Sequence, residues 1–485
     1  MAKNNIYQLF VELAGQSGDA PAFFTSEGSV SFSSFLGQVE GAAAGLQAKG
    51  VEKGDRVCIL GQNSPEFMAL IVGCAKLGAI AYPINWRLSP AEMIAVIQLA
   101  EPKVLAAGPE FSGPLQEAGA SFTGISELIV EGSSQDAGAS AGDPLLVIST
   151  AATEGLPRGA VLTHGNILAG NAVISEVLEM SAEDRFLAIL PYFHIAGLGF
   201  SMAALSNGGA VVVLPGFDPA ASAQAIDTYK VSLVGTFPPM LEMLVGARQQ
   251  TGASWDSLRK VFGILNPPDV IQSYLALGKG EYWTGFGQAE TTGLVTMINV
   301  IEKPGSAGKV VPGMELHIVD EHDQDVPAGT VGEIAARGPL VFAGFWRDEE
   351  ASAYYGRNNL HHTGDLGKVD EDGYLYYAGR KPEREMIKSG GENVYPAEVE
   401  AALQALPQVA AVCVIGVADE KWGETVKAVV ELAEGQSLDE AGLLAGIKDS
   451  LASYKKPRLV EFVSALPRTG GGEIDRMAVK AKFGG

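Results

Sequence analysis

Cationic side chains are scarce: 34 Lys and Arg stand against 57 Asp and Glu, a formal charge of −23. A surface this acidic repels a phosphate backbone, and no local basic patch offsets it, so nucleic acid is not an expected partner. Cysteine is nearly absent. Cys58, Cys74 and Cys413 lie far apart without CxxC spacing. An odd, scattered set gives no disulfide framework, and the three are expected to be small buried hydrophobes. Long apolar runs are also missing. The longest, Met68 to Ile84, is interrupted by Lys76 and ends near 17 residues, at the low limit for spanning a bilayer; it reads as a buried helix, a turn and a strand. The first residues, MAKNNIYQLFVEL, carry no apolar run of leader length after the basic residue. No secretory leader is therefore expected, and the cytoplasm is the expected compartment. Neither GxxxxGK[ST] nor HExxH occurs, and His164, His317, His322 and His361 are too dispersed for a metal site.

What is present is apolar: 47% hydrophobic residues against 19% charged, over 485 residues. That composition folds into a globule of two to three domains' length. Short β-branched runs alternate with alanine-rich helical patterns through the first 300 residues or so, the texture of parallel α/β architecture. Strands are expected at 57–60, 104–107, 145–149, 185–189, 210–214 and 233–236, with a helix at 65–77. After about Pro304 the chain turns Gly-rich with short alternating strands at 315–319, 332–336 and 374–378, which suggests an antiparallel or barrel-like section. A charged stretch, Arg380 to Lys388, precedes a small α+β pattern: helices at 396–405 and 437–451, strands at 409–417 and 426–434. This places a domain boundary near 380, giving an expected body of 1–380 and a tail domain of 381–485. Glu131 to Gly142 is a Gly/Ser/Ala-rich surface loop.

Chemistry concentrates in a few strings. Ser149 to Gly159 reads STAATEGLPRG, after an apolar strand and before the helix-like run THGNIL. Such a loop can wrap phosphate oxygens with backbone N–H groups and hydroxyls, and equally can be an ordinary strand-to-helix turn. Further along come GAIAYPINWRL (78–88), PYFHIAGLG (191–199), GFGQAETT (285–292), HTGDLG (362–367) and GRKPEREMIKSGGENVYPAE (379–398).

Taken in order, these strings resemble the adenylate-forming superfamily, the acyl-CoA synthetases and their relatives, over almost the full length. The resemblance implies a large multi-subdomain α/β body with a barrel-like section, a small mobile α+β C-terminal domain, and ATP, Mg²⁺ and coenzyme A as cofactors. It implies that Thr150, Thr153, Gly155 and Arg158 meet phosphates, and that His194 gates the acyl pocket beside Tyr192 and Phe193. Gly285, Phe286 and Gly287 then belong to the nucleotide site, Glu290 holds magnesium, and Asp365 takes the ribose hydroxyls. Arg380 lies at the hinge, and Ser389, Gly390 and Gly391 face coenzyme A; Trp422, Gly423 and Glu424 fit the small domain. Phe193 to Leu198, Phe237 to Met240 and Gly263 to Asn266 are expected pocket walls, so a hydrophobic acid is the expected substrate. His194 is not read as a general base, because a carboxylate nucleophile is already ionised at neutral pH.

The chain departs from the pattern at Ala152 and Glu154, and most sharply in LPRTGGGEIDR, where Glu473 takes the place of the customary adenylation lysine. A carboxylate there replaces attraction for the α-phosphate with repulsion, so the adenylation half-reaction is expected to be weakened. Another cation, Lys388, Arg380 or Arg468, could serve instead; position 473 could be altered; or adenylation could be lost. The expected activity is a carboxylate–CoA ligase acting through an acyl-adenylate. The alternatives are a non-catalytic or half-reaction protein that binds nucleotide or acyl-CoA, and, ranked last, acyl transfer to a carrier protein or to oxygen. The hinge stretch holds four residues, Lys381 to Arg384, where relatives leave about three, so Lys381 and Arg384 both qualify as pivot. The oligomeric state stays open, a homodimer being one option.

Overall fold

The computed structural model describes residues 5–150, 157–264, 266–381, 386–390, 392–419, 421–469 and 473–484. It divides into two compact units: the second comprises the chain from Arg380 onward with Arg87–Val96, and the first holds nearly all the rest. The architecture is mixed α/β, a large N-terminal body and a small C-terminal domain, as the sequence pattern implied.

Two open sheets form the larger part of the first unit. The larger runs, in spatial order, Lys309–Val310, Thr296–Asn299, Glu281–Phe286, Lys260–Gly263, Leu233–Thr236, Arg185–Ala188, Ala210–Val213, Pro21–Thr25 and Gly28–Ser31. The five strands from Glu281–Phe286 to Ala210–Val213 are mutually parallel, so their carboxyl ends share one edge. The second sheet orders Thr123–Gly124, Val104–Ala107, Arg56–Leu60, Ile80–Pro83, Pro144–Thr150 and Arg158–Thr163. Val104–Ala107, Arg56–Leu60 and Ile80–Pro83 are buried at every residue but Arg56, which is why they read as unbroken apolar runs rather than alternating ones. Helix Pro65–Leu77, entered at the Ser64 cap and stopped by left-handed Gly78 (φ 63°), packs over it. Lys76 interrupts the apolar run without leaving an unpaired buried charge, because it pairs with Glu40. Cys58, Cys74 and Cys413 are free and buried, and burial pushes the Cys58 and Cys74 thiols up. Among the described residues no helix is long and apolar enough to cross a membrane.

One expectation fails here. The stretch after Thr150 does not lead straight into a helix: Arg158–Thr163 is a strand that pairs antiparallel with Pro144–Thr150, Leu146 facing Leu162. The buried Ala160, Val161 and Leu162 form the return arm of a hairpin, and the helix begins only at His164. His164 is fully buried, and its Nδ1 accepts the Ile6 N–H at 3.2 Å. Burial pushes its pKa down to about 4. The folded chain thus keeps His164 neutral, whereas the unfolded chain protonates it below about pH 6.5. Stability is full above that pH and falls as acid is added from about 6.5 to 4. The thermal midpoint should drop across this window, and less so in His164→Gln; equal losses in both proteins would put the acid sensitivity elsewhere.

The Gly-rich section forms the expected antiparallel sheet, Glu315–Val319, Gly332–Arg337, His361–Val369 and Leu375–Arg380. In the second unit, Val409–Asp419 pairs with Gly423–Leu432, flanked by Ile387–Ser389 and Leu459–Val463. Val412 and Val414 bury with helix Pro396–Gln404 on one face, while Cys413, Ile415 and Val417 bury with Val479 and Phe483 on the other. The expected helix at 437–451 shrinks to Glu440–Gly446; Gly442 and Gly446 lower its intrinsic stability. Lys455 is 4% exposed, with Nζ 2.7 Å from both Glu92 Oε1 and Glu398 Oε2. Burial holds the Glu398 carboxyl above its usual range. Lys455→Met leaves the buried Glu398 and the half-buried Glu92 without their cation and should cost about 3–5 kcal/mol, read as a lower urea midpoint. An unchanged midpoint would mean that water reaches the cluster.

Candidate active site

The carboxyl ends of the adjacent parallel strands gather the sequence-predicted residues. Arg185–Ala188 leads to His194, Leu233–Thr236 to 237–240, Lys260–Gly263 to Asn266, and Glu281–Phe286 to Gly287 and Glu290. That edge of an open α/β sheet is where ligands bind, since the loops leave the strands there and backbone groups face outward.

His194 precedes helix Ile195–Ser206 and is half-buried. Its ring lies 4.5 Å from that of Phe193, which meets Trp86 edge-on at 6.0 Å. Trp86 was quoted within an early string without being assigned to the wall; an aromatic so far away in sequence carries no local signal of this contact. Tyr192 is fully buried with its backbone N–H on Asn63, so it braces the segment that leads to His194. On the neighbouring strands, Asn266 donates to the Tyr282 hydroxyl at 2.6 Å. A Cβ on Gly263 would stand 2.3 Å from the Thr236 carbonyl, so the wall admits only glycine without rearrangement.

The GFGQAETT string is a strand end and a tight turn. A Cβ on Gly285 or Gly287 would stand 2.2 Å from the Thr296 or Gly293 carbonyl oxygen respectively. Both glycines are therefore required by close backbone approach. Gln288 N–H donates to the Thr291 hydroxyl at 3.0 Å, and the Phe342 N–H donates to the Glu290 carbonyl at 2.9 Å. The turn is thus fixed on both sides, and Glu290 is 4% exposed.

The HTGDLG string sits on a bulge between strands Gly332–Arg337 and His361–Val369, where the register shifts between Glu333 and Ala335. The extra residues re-aim the side chains between them. Gly364 takes φ 71° and donates its N–H to Glu333. The Thr363 hydroxyl donates to the Ile334 carbonyl and accepts from Asp365 N–H. Asp365, 1% exposed, accepts from Gln288 Nε2 at 2.6 Å and from the Tyr377 hydroxyl at 3.2 Å. The motif of Glu290 and the motif of Asp365 are therefore joined through Gln288. Tyr377 in turn lies over Phe286, centroids 6.3 Å apart.

Arg158 pairs with Asp348 at 2.7 Å and lies over the Phe345 and Tyr355 rings, and Thr150 Oγ1 donates to the Arg158 carbonyl. Thr153, Gly155 and Gly391 lie outside the described residues, as do Ala152, Glu154 and Arg384. Arg380 closes strand Leu375–Arg380. In the second unit Ser389 is buried opposite Glu392 in a hairpin. Gly390 takes φ 60°, and a Cβ there would meet the Trp422 ring at 2.6 Å. Glu473 is exposed where the chain turns back, its carbonyl accepting from Thr469 N–H at 2.8 Å.

An open parallel sheet carrying this constellation defines a nucleotide-using α/β enzyme. The AMP-binding enzyme family matches residues 10–346, and the AMP-binding enzyme C-terminal domain matches 398–473. The chain belongs to this adenylate-forming superfamily, as an AMP-forming acid–thiol ligase of the acyl-CoA synthetase type. It is 37% identical to an indoleacetate–CoA ligase of Aromatoleum aromaticum, with 96% of each chain covered. It is 36% identical to a feruloyl-CoA synthase of an Amycolatopsis species over 91% of each. Among solved structures, a double mutant of o-succinylbenzoate CoA synthetase from Bacillus subtilis with a bound product analogue superposes with a TM-score of 0.91 at 27% identity, covering 99% of this chain and 98% of that one.

Proposed function

We propose that the chain activates a hydrophobic, preferentially aromatic carboxylic acid with ATP and passes the acyl group to coenzyme A, as a cytoplasmic enzyme. The observation that carries this reading is the row of strand carboxyl ends bearing the Phe193 and His194 rings, with Trp86 edge-on to Phe193, then Gly263 and Asn266, and the Phe286 to Glu290 turn. The indoleacetate and feruloyl specificities named for its relatives favour a ring-bearing acid.

Residues 1–380 bind ATP and acid in this reading, and 381–485 act as the mobile domain. Asp365 accepts from the ribose hydroxyls as an ionised side chain. Thr150, Thr153, Gly155 and Arg158 surround the phosphates, and His194 covers the acyl carboxylate. Arg380 lies at the hinge, and Ser389, Gly390 and Gly391 flank the incoming thiol. Magnesium fits the donor set: among the described residues no three His, Cys, Asp or Glu side chains converge, and Glu290 offers one buried carboxylate. This suits an ion held mainly by phosphate oxygens and water. Bound at Glu290, magnesium would neutralise charge on the departing pyrophosphate.

The experiment supplies ATP and coenzyme A with indole-3-acetate, ferulate, cyclohexanecarboxylate and decanoate, and measures AMP release and acyl-CoA formation. Acid-dependent AMP, greatest with the ring-bearing acids, is expected; no AMP with any acid would sink the proposal. A half-active enzyme is the second reading, favoured by the acid at position 473. It would convert a synthetic acyl-adenylate to acyl-CoA while failing to make the adenylate.

A further inference from the structure

Gln288 occupies a position in its motif that carried no expected role, yet its side chain hydrogen-bonds Asp365. Its Nε2 donates both to Asp365 Oδ2, at 2.6 Å, and to the Thr363 carbonyl, at 3.0 Å. Two acceptors on one side fix which end of the amide is the nitrogen. The amide oxygen accordingly faces His361 Nε2 at 3.1 Å. That ring nitrogen must carry its proton, and the ring stands edge-on to Phe342. From the other side, the Gln288 backbone is tied by the Thr291 hydroxyl. A long, rotatable side chain is thus held at its stem and at both ends of its amide. This costs rotamer entropy that packing alone would not recover.

We propose that Gln288, oriented by His361, is a positioning residue: it holds the Asp365 carboxylate at the angle that receives the ribose hydroxyls, and so sets how strongly the enzyme prefers a ribonucleotide over a deoxyribonucleotide. This rests on the reading of Asp365 as the ribose acceptor. A carboxylate accepts through lone pairs on both of its oxygens. A neighbour that fixes its plane raises the share of time those lone pairs point at the ligand. A hydrogen bond to an ionised acceptor gained or lost with one hydroxyl corresponds to about tenfold or more in affinity.

The test measures binding of AMP, 2′-deoxy-AMP and 3′-deoxy-AMP by calorimetry to the full chain and to Gln288→Met, Gln288→Glu, His361→Phe and Asp365→Asn, with thermal midpoints recorded for each. Wild type should favour AMP over both deoxy forms about tenfold or more. Gln288→Met, close in volume, should reduce that ratio at least about fivefold by weakening AMP while leaving the deoxy forms nearly unchanged. Gln288→Glu, which sets a second carboxylate against Asp365, should reduce it further, and His361→Phe should shift it in the same direction by less. If Gln288→Met weakens all three nucleotides equally while Asp365→Asn abolishes the preference, Gln288 is merely structural and the inference falls alone. A preference untouched by Asp365→Asn overturns the ribose reading together with the inference. Should Gln288→Met melt early, the ratio in His361→Phe decides in the same way.

Discussion

Glu473→Lys raises the rate of acyl-adenylate formation several-fold or more. The ground is local charge: the resemblance read from the sequence implies a lysine at this position, and a glutamate in its place would oppose both the α-phosphate and the substrate carboxylate that must approach each other. Preorganised donors at developing negative charge are typically worth about 100- to 1,000-fold in turnover, which sets the upper end of the gain. Glu473 is exposed, its backbone carbonyl accepting from Thr469 N–H beside the bridge between Arg468 and Ile474. The substitution therefore should leave the thermal midpoint where it was, so that a rate change reads on the chemistry. Arg468, one of the cations considered as a substitute, has Nη2 3.5 Å from Glu431. Acid-dependent exchange of labelled pyrophosphate into ATP is the measurement. A rate that stays level or drops would show that the surroundings have been rebuilt around the acid.

Glu290→Gln is the larger loss. Glu290 is buried in a turn closed by its own Gln288–Thr291 hydrogen bond and tied to Phe342 N–H, so the amide can occupy the same volume without its charge. Acid-dependent pyrophosphate release should fall by about 100-fold or more, and the magnesium concentration giving half-maximal rate should rise. Transfer from a supplied acyl-adenylate to coenzyme A should be much less affected, because pyrophosphate has already left. Equal losses in both half-reactions would remove Glu290 from the metal role and leave it a structural acid.

The strand at 57–60, the helix at 65–77 and the strands at 233–236 and 409–417 were legible because their side chains are buried on one or both faces wherever the fold places them. Burial of that kind writes itself into composition and period. The hairpin arm Arg158–Thr163 was not, since six residues with three apolar ones fit a helix start as well as a strand, and only pairing with Pro144–Thr150 decides between them. Glu290, Asp365 and His194 were named because the order of the motif strings resembles one superfamily, and a string can be matched without knowing the fold. The strings were silent on Gln288, Trp86, Tyr377 and His361, whose importance is a matter of what stands opposite. Gln288 and Asp365 are 77 positions apart and meet at 2.6 Å, and no periodicity spans such a gap.

The sequence by itself thus determined the chemistry on offer: an acidic chain, three inert thiols, a parallel α/β texture, and a set of strings whose order resembles one superfamily. These follow from side-chain type and short-range pattern, which survive unfolding. Tertiary structure alone decided which strand ends lie side by side, that a bulge turns Asp365 toward Gln288, and that Gly287 must lack a Cβ because the Gly293 carbonyl lies against it. Such contacts join segments remote along the chain, and they exist only once sheet register and packing have closed the distance.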